Sequence, residues 1–104
     1  MGGTTQGTAM PSYAIGSLVV HNTDWQKEYS EKMPALIARH GGILRARAPV
    51  QLLEGRAHLP GTTVVIEFPS AAQARAWYDD PAHAPLKQLR DSGASFDLVL
   101  LDGV

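Results

Sequence analysis

The chain has no cysteine among its 104 residues. That absence removes disulfide staples, thiolate metal sites and a cysteine nucleophile at one stroke, and it fits a cytoplasmic protein. Neither charge is in excess. Nine Lys and Arg stand against ten Asp and Glu, a formal charge of −1, so there is no basic footprint for nucleic acid. No apolar run approaches the ~18–20 residues of a membrane-spanning helix. Residues 1–11 have neither a basic start nor an apolar stretch and do not read as a secretory signal. There is no Gly-rich phosphate loop, no GxSxG elbow and no nucleotide fingerprint. No two histidines stand at a metal-ligand spacing, so neither a metal nor a cofactor is expected, although folding can still gather His21, His40 and Glu67.

What is there is one domain's worth of globular sequence, 44% hydrophobic. The opening MGGTTQGTAMP is rich in Gly and Thr, without apolar period, and reads as a flexible arm over residues 1–11. Met10 is a second candidate for the start of the chain. The domain is expected over residues 12–104. Tyr13–His21 (YAIGSLVVH) reads as a strand. Asp24 is the expected cap of a helix whose apolar stripe is Trp25, Tyr29, Met33, Leu36, Ile37 and His40. Pro34 is expected to kink or split that helix, and Gly41-Gly42 to end it.

Ile43–Ala48 (ILRARA) and Thr62–Phe68 (TTVVIEF) read as two further strands. Ser70 and Gln73 form a capping box for a second helix that carries Ala74, Trp77 and Tyr78. Asp79-Asp80-Pro81 ends it and starts a short helix with Leu86, Leu89 and Arg90. Ser95–Leu101 is the last strand. The order is βαββαβ. With both crossovers right-handed this gives an α+β, ferredoxin-like fold, a four-stranded antiparallel sheet with helices on one face.

A sheet with helices on one face and water on the other should alternate apolar and polar residues. These strands are apolar on both faces: Ile15 and Val19 against Leu18 and Val20, Val64 and Ile66 against Val65, Leu98 and Leu100 against Val99 and Leu101. The second face needs a cover, and another copy of the same sheet is the simplest supplier. A charged residue at Val65 or Leu98 is expected to disrupt that contact wherever the residue lies in it.

The runs HGGILRAR, LLEG, VVIEFPSAAQARAWYDDPAH and DLVLLDGV resemble a family of small uncharacterised proteins, domain of unknown function 1330, of the dimeric alpha+beta barrel superfamily. The similarity covers roughly residues 12–104, and its most specific part spans Glu67 to Pro81. His40, Ala48 and His83 stand where tyrosine, glycine and tyrosine are common in the family. The resemblance implies a homodimer. The wider superfamily includes cofactor-independent monooxygenases, haem-degrading enzymes, muconolactone isomerases and polyketide cyclases. In several of them the ligand sits between the curved sheet and the helices of each subunit.

Several residues have the chemistry for a site. His40 can act as a general base near neutral pH, or simply face the negative end of its helix dipole. Trp77 and Tyr78 can line a pocket for a flat ligand, with the tyrosine hydroxyl as donor, or pack in the core. Glu67, in the middle of a strand, either pairs with Arg45 or Arg47 or serves acid–base work with a raised pKa. Arg45 and Arg47 are read as sharing one strand face and can hold a carboxylate. Arg90 can clamp an anion at the pocket mouth or pair with Asp79 or Asp80.

The expected function is a cofactor-independent homodimeric enzyme doing acid–base chemistry on an apolar or aromatic carbonyl compound: cyclisation, isomerisation or oxygenation. His40, Glu67 and Tyr78 would be its catalytic residues, and Trp77, Arg45, Arg47 and Arg90 its ligand-binding residues. The alternative is a non-catalytic binding or structural dimer. The discriminating observation is whether His40 and Glu67 point into one cavity.

Overall fold

β-Branched and aliphatic residues alternate along four segments, and these segments pair into one antiparallel sheet. A computed structural model describes residues 10–56 and 59–104. The strands are β1 (Ser12–Val20), β2 (Ile43–Ala48), β3 (Thr62–Phe68) and β4 (Ala94–Asp102), in the spatial order β2-β3-β1-β4. The helices are α1 (Gln26–Arg39), α2 (Ala71–Asp79) and α3 (His83–Asp91). This is the ferredoxin-like arrangement. Most of the expected arm lies outside the described residues. Pro11 does not: its carbonyl accepts the Gly103 N–H at 2.7 Å.

The register fixes two faces. Ala14 stands between Ile66 and Leu100, and Gly16 between Val64 and Leu98; these residues face the helices. The core lies here, where Ala14, Ile66 and Phe68 pack against Met33 and Leu36 of α1, Ala74 and Trp77 of α2 and Leu86 of α3. Leu98 and Leu100 pack on this core, so Leu98 does not belong to the second face as entertained from its pattern. On that other face Ile15 lies between Val65 and Val99, and Tyr13 between Glu67 and Leu101. None of the described helices covers it, and Val99 remains 60% exposed.

Two expectations about α1 are corrected. Of the two outcomes expected of Pro34, a kink or a split, the split is excluded: the helix runs unbroken for 14 residues. A proline inside a helix costs about 3 kcal/mol. Burying the flanking Met33 and Leu36 offsets that, at roughly 1.5–3 kcal/mol each. Nor does Asp24 cap the helix. Trp25 occupies the cap position with no side-chain bond, and Asn22 Oδ1 accepts the Asp24 N–H instead. The other end forms as the glycines suggest. Gly41 has φ +76°, its N–H donates to the Ala38 carbonyl and that of Gly42 to the Ile37 carbonyl. This is the Schellman pattern, which favours glycine at the left-handed position. At α2, Ser70 Oγ accepts the Gln73 N–H at 3.2 Å, one half of the expected capping box.

Candidate active site

Between α1 and the helix-facing side of the sheet lies a cleft of about 670 Å³. The four-residue spacing of Trp25, Tyr29 and Met33 turns all three toward it. Trp25 is fixed by its indole N–H, which donates to the Asn22 carbonyl at 2.7 Å, and by an edge-on contact with Tyr29 at 5.3 Å. Trp77, Phe96, Arg47 and Arg90 complete the polar and aromatic part of the wall. Phe96 fits beneath the cleft because Gly16 faces it: a Cβ on Gly16 would overlap the ring. Gly16→Ala is therefore expected to drive the ring toward the cleft, lowering stability by about 1–3 kcal/mol and shrinking the space for ligand. Urea unfolding and ligand titration of the variant check this.

Arg90 is the unusual member. Its side chain is only 9% exposed, yet its one carboxylate partner among the described residues is Asp91, which is 62% exposed. The guanidinium carbon lies 4.5 Å over the Phe96 ring. Burial pushes the Tyr29 hydroxyl above its ordinary value, and the charge of Arg90 with a hydrogen bond from it acts the other way. A buried cation paired only with a solvated anion leaves room for a second anion. The partners expected for Arg90 from sequence, Asp79 and Asp80, are not the ones it takes.

A second, smaller cavity of about 290 Å³ lies between α2 and strands β1 and β4. Ala14, Ala74 and Leu100 give it an apolar floor, and Arg75, Tyr78 and Asp79 a polar side. Trp77, Arg90 and Phe96 stand in the walls of both cavities. The indole N–H of Trp77 is buried and has no partner among the described residues.

His40 and Glu67, the proposed acid–base pair, do not meet in one cavity: neither lines either of the two. His40 Nε2 lies 2.8 Å from Asp80 Oδ2, and Arg39 donates to the same oxygen at 3.1 Å. The hydrogen bond with His40, then that from the Ala82 N–H, holds the Asp80 carboxyl below its usual range. The His40–Asp80 bond ties the end of α1 to the α2–α3 junction. Glu67 accepts from Arg45 Nε at 3.0 Å on the face away from the helices.

Arg45 and Arg47 do not share a face. The β2–β3 register shifts between Leu44 and Ala46, so Arg47 pairs with Val64 and lines the larger cleft, while Arg45, left out of the register, reaches Glu67 only by its side-chain ion pair. Tyr78 lines the smaller cavity only, with Lys87 Nζ 3.8 Å from its ring centre. His21 bonds Ser95 Oγ at 2.8 Å, so His21, His40 and Glu67 do not gather. Among the described residues no three His, Asp or Glu side chains form a metal-binding group. None of the described helices is long and apolar enough to cross a membrane.

The sequence reading passed over Trp25, Tyr29 and Phe96 as site residues, and His83 as more than a spare histidine. His83 is buried against Trp77, ring centres 4.6 Å apart, and its Nδ1 lies 3.0 Å from the Trp77 carbonyl. That contact requires a proton on Nδ1. The Nε2 atom is buried without a partner among the described residues. Burial, ahead of the Trp77 contact that opposes it, lowers the His83 pKa from 6.5. The unfolded chain then binds the proton more readily, so stability falls as pH drops through 6.5 toward the folded value. Unfolding midpoints are expected to drop as the pH falls from neutral through 6.5, and His83→Phe to flatten that slope. An equal slope in the variant would contradict this.

A family model described as a domain of unknown function (DUF1330) matches residues 11–104. The chain belongs to the DUF1330 family. No curated protein matches it. Among solved structures, this DUF1330 chain is similar to the RPA0582 protein of unknown function from Rhodopseudomonas palustris. The TM-score is 0.72 at 14% identity, over 91% of this chain and 83% of that one. It is also similar to SnoaB, a cofactor-independent oxygenase from Streptomyces nogalater, with TM-score 0.66 and 14% identity over 92% and 95% of the two chains. A dimeric protein of unknown function and ferredoxin-like fold from Bacteroides fragilis matches with TM-score 0.54 and 15% identity, over 89% of this chain and 96% of that one. At such identities these likenesses establish the shared fold.

Proposed function

We propose that this DUF1330 protein is a homodimer, joined through the uncovered sheet face, that holds a flat apolar or aromatic carbonyl compound in the cleft under α1 of each subunit. The buried Arg90, opening onto an aromatic cleft with only a solvated carboxylate beside it, carries the reading. Its charge favours a ligand oxygen in the ionised enolate or phenolate form, more strongly than in water because the guanidinium is buried. Trp25, Trp77 and Phe96 supply flat walls, and Arg47 supplies a second cation.

Cyclisation, isomerisation and oxygenation of carbonyl compounds can all begin from such an anion. A ligand acidic enough to ionise beside a guanidinium needs no dedicated base, which suits a cleft lined by neither His40 nor Glu67. The oxygenase chemistry of SnoaB, on the same fold, supports the enzymatic form of the reading. The separation of His40 and Glu67 favours a second form, in which the same molecules are bound without turnover.

Both tryptophans of the chain line the cleft, so intrinsic fluorescence reports on it. Titration with naphthols, hydroxyquinones and aryl ketones is expected to give saturable quenching. The absorption spectrum of the bound ligand should show ionisation at a pH about one unit below that of the free compound. Chromatography of the ligand after incubation separates turnover from binding. Absence of quenching across the panel would overturn both forms.

A further inference from the structure

The smaller cavity shares Trp77, Arg90 and Phe96 with the cleft under α1, but its remaining lining is its own. Its floor exists because Ala14 and Ala74, both buried, leave room where longer side chains would fill it. At about 290 Å³ it stands at the lower end of the ~300–1,000 Å³ usual for ligand sites, the size for a single ring rather than a polycycle. Its polar groups favour an anion. Arg75 and Arg90 provide two guanidinium groups; Asp79 is the one carboxylate of the lining, and among the described residues the one ion pair of either arginine is that of Arg90 with the solvent-exposed Asp91. A carboxylate guest gives Arg75 a partner and Arg90 a second one, which a neutral guest does not.

We infer that the smaller cavity is a second binding site, for an aromatic monocarboxylate, distinct from the carbonyl site under α1. The ring rests on the alanine floor against Trp77, and the carboxylate lies between Arg75 and Arg90. Because Arg90 serves both cavities, occupation of one site draws on the cation that the other uses, and the two ligands weaken each other's binding.

Benzoate is the probe, with benzamide as its neutral counterpart, followed by calorimetry and ligand-observed NMR. One benzoate per chain is expected. Arg75→Ala is expected to weaken it by about tenfold or more, and Ala74→Leu, which fills the floor, to abolish it. Benzamide should bind about tenfold more weakly than benzoate. Arg47→Ala, confined to the larger cleft, should leave benzoate affinity unchanged while weakening naphthol binding. Arg75 is exposed, so its variant keeps the test open even where Ala74→Leu fails to fold.

The inference is overturned by equal binding of benzamide and benzoate, by benzoate affinity unaffected in Arg75→Ala, or by no benzoate binding at millimolar concentration. Loss of benzoate in Arg47→Ala also overturns it, and assigns the acid to the larger cleft. Benzoate binding that follows the expected pattern while naphthols and quinones fail to bind would leave this inference standing and remove the carbonyl site.

Discussion

Ile15→Asp will convert the proposed dimer to a folded monomer. Ile15 lies on the uncovered face between Val65 and Val99, near the middle of the four strands. A twofold axis would set each new carboxylate against an apolar sheet, twice per dimer. Burying an unpaired carboxylate costs several kcal/mol, so the association constant should fall by about a thousandfold or more. The fold itself has no need of Ile15 in its core, which lies on the opposite face. Leu98→Asp is the contrasting variant. Leu98 packs on the core under the helices, so its replacement should unfold the chain rather than separate two folded copies. Sedimentation and circular dichroism distinguish these results. A dimer of undiminished strength in Ile15→Asp would exclude the open sheet face as the interface.

The fold was legible where the period of the side chains leaves one solution. TTVVIEF is β3 from its first residue to its last, and the doubly apolar strands already implied two faces to cover. Gly41-Gly42 announced the end of α1 because the Schellman turn requires a left-handed residue there. Pro34 misled, since a local rule about helix breaking was outweighed by the burial of Met33 and Leu36 on either side. The site was legible only in part. Trp77, Arg47 and Arg90 do line cavities, but Arg45 was grouped with Arg47 because nothing in ILRARA marks the irregularity after Leu44. Strict alternation places the two arginines together; one shifted residue separates them. His40 and Glu67 carry the residue types of an acid–base pair, and only tertiary register reveals that each is already engaged elsewhere, by Asp80 and Arg45. Trp25 and Tyr29 escaped notice as site residues because a stripe that lines a cleft has the same spacing as one that fills a core. Phe96 depends on a pairing no local pattern contains, since its space comes from Gly16 on the neighbouring strand.

Arg90→Met will lose ligand binding without losing the fold. Methionine retains much of the length and apolar stem of arginine, so packing on Phe96 can persist. Removing a buried cation whose only carboxylate partner is solvated leaves no charge stranded in the interior. Stability should therefore stay the same or rise, as it often does when buried ionic groups give way to apolar ones of similar volume. Affinity for an ionised enol or phenol should fall by roughly 30- to 300-fold, the worth of one or two hydrogen bonds to a charged group. Neutral aryl ketones should lose far less, because they engage the walls rather than the charge. Tyr29 offers an independent readout. Arg90 acts on it by charge and hydrogen bond against the upward push of burial, so in Arg90→Met its hydroxyl should ionise at still higher pH in an ultraviolet titration. Lysine is a poor substitute, since a compact ammonium neither stacks on Phe96 nor offers a planar pair of donors. If Arg90→Met unfolds while the surviving protein binds ionised ligands as before, Arg90 is a packing residue and the anion site lies elsewhere. If stability holds and only anionic ligands are lost, the buried guanidinium is what selects the ionised form of the guest.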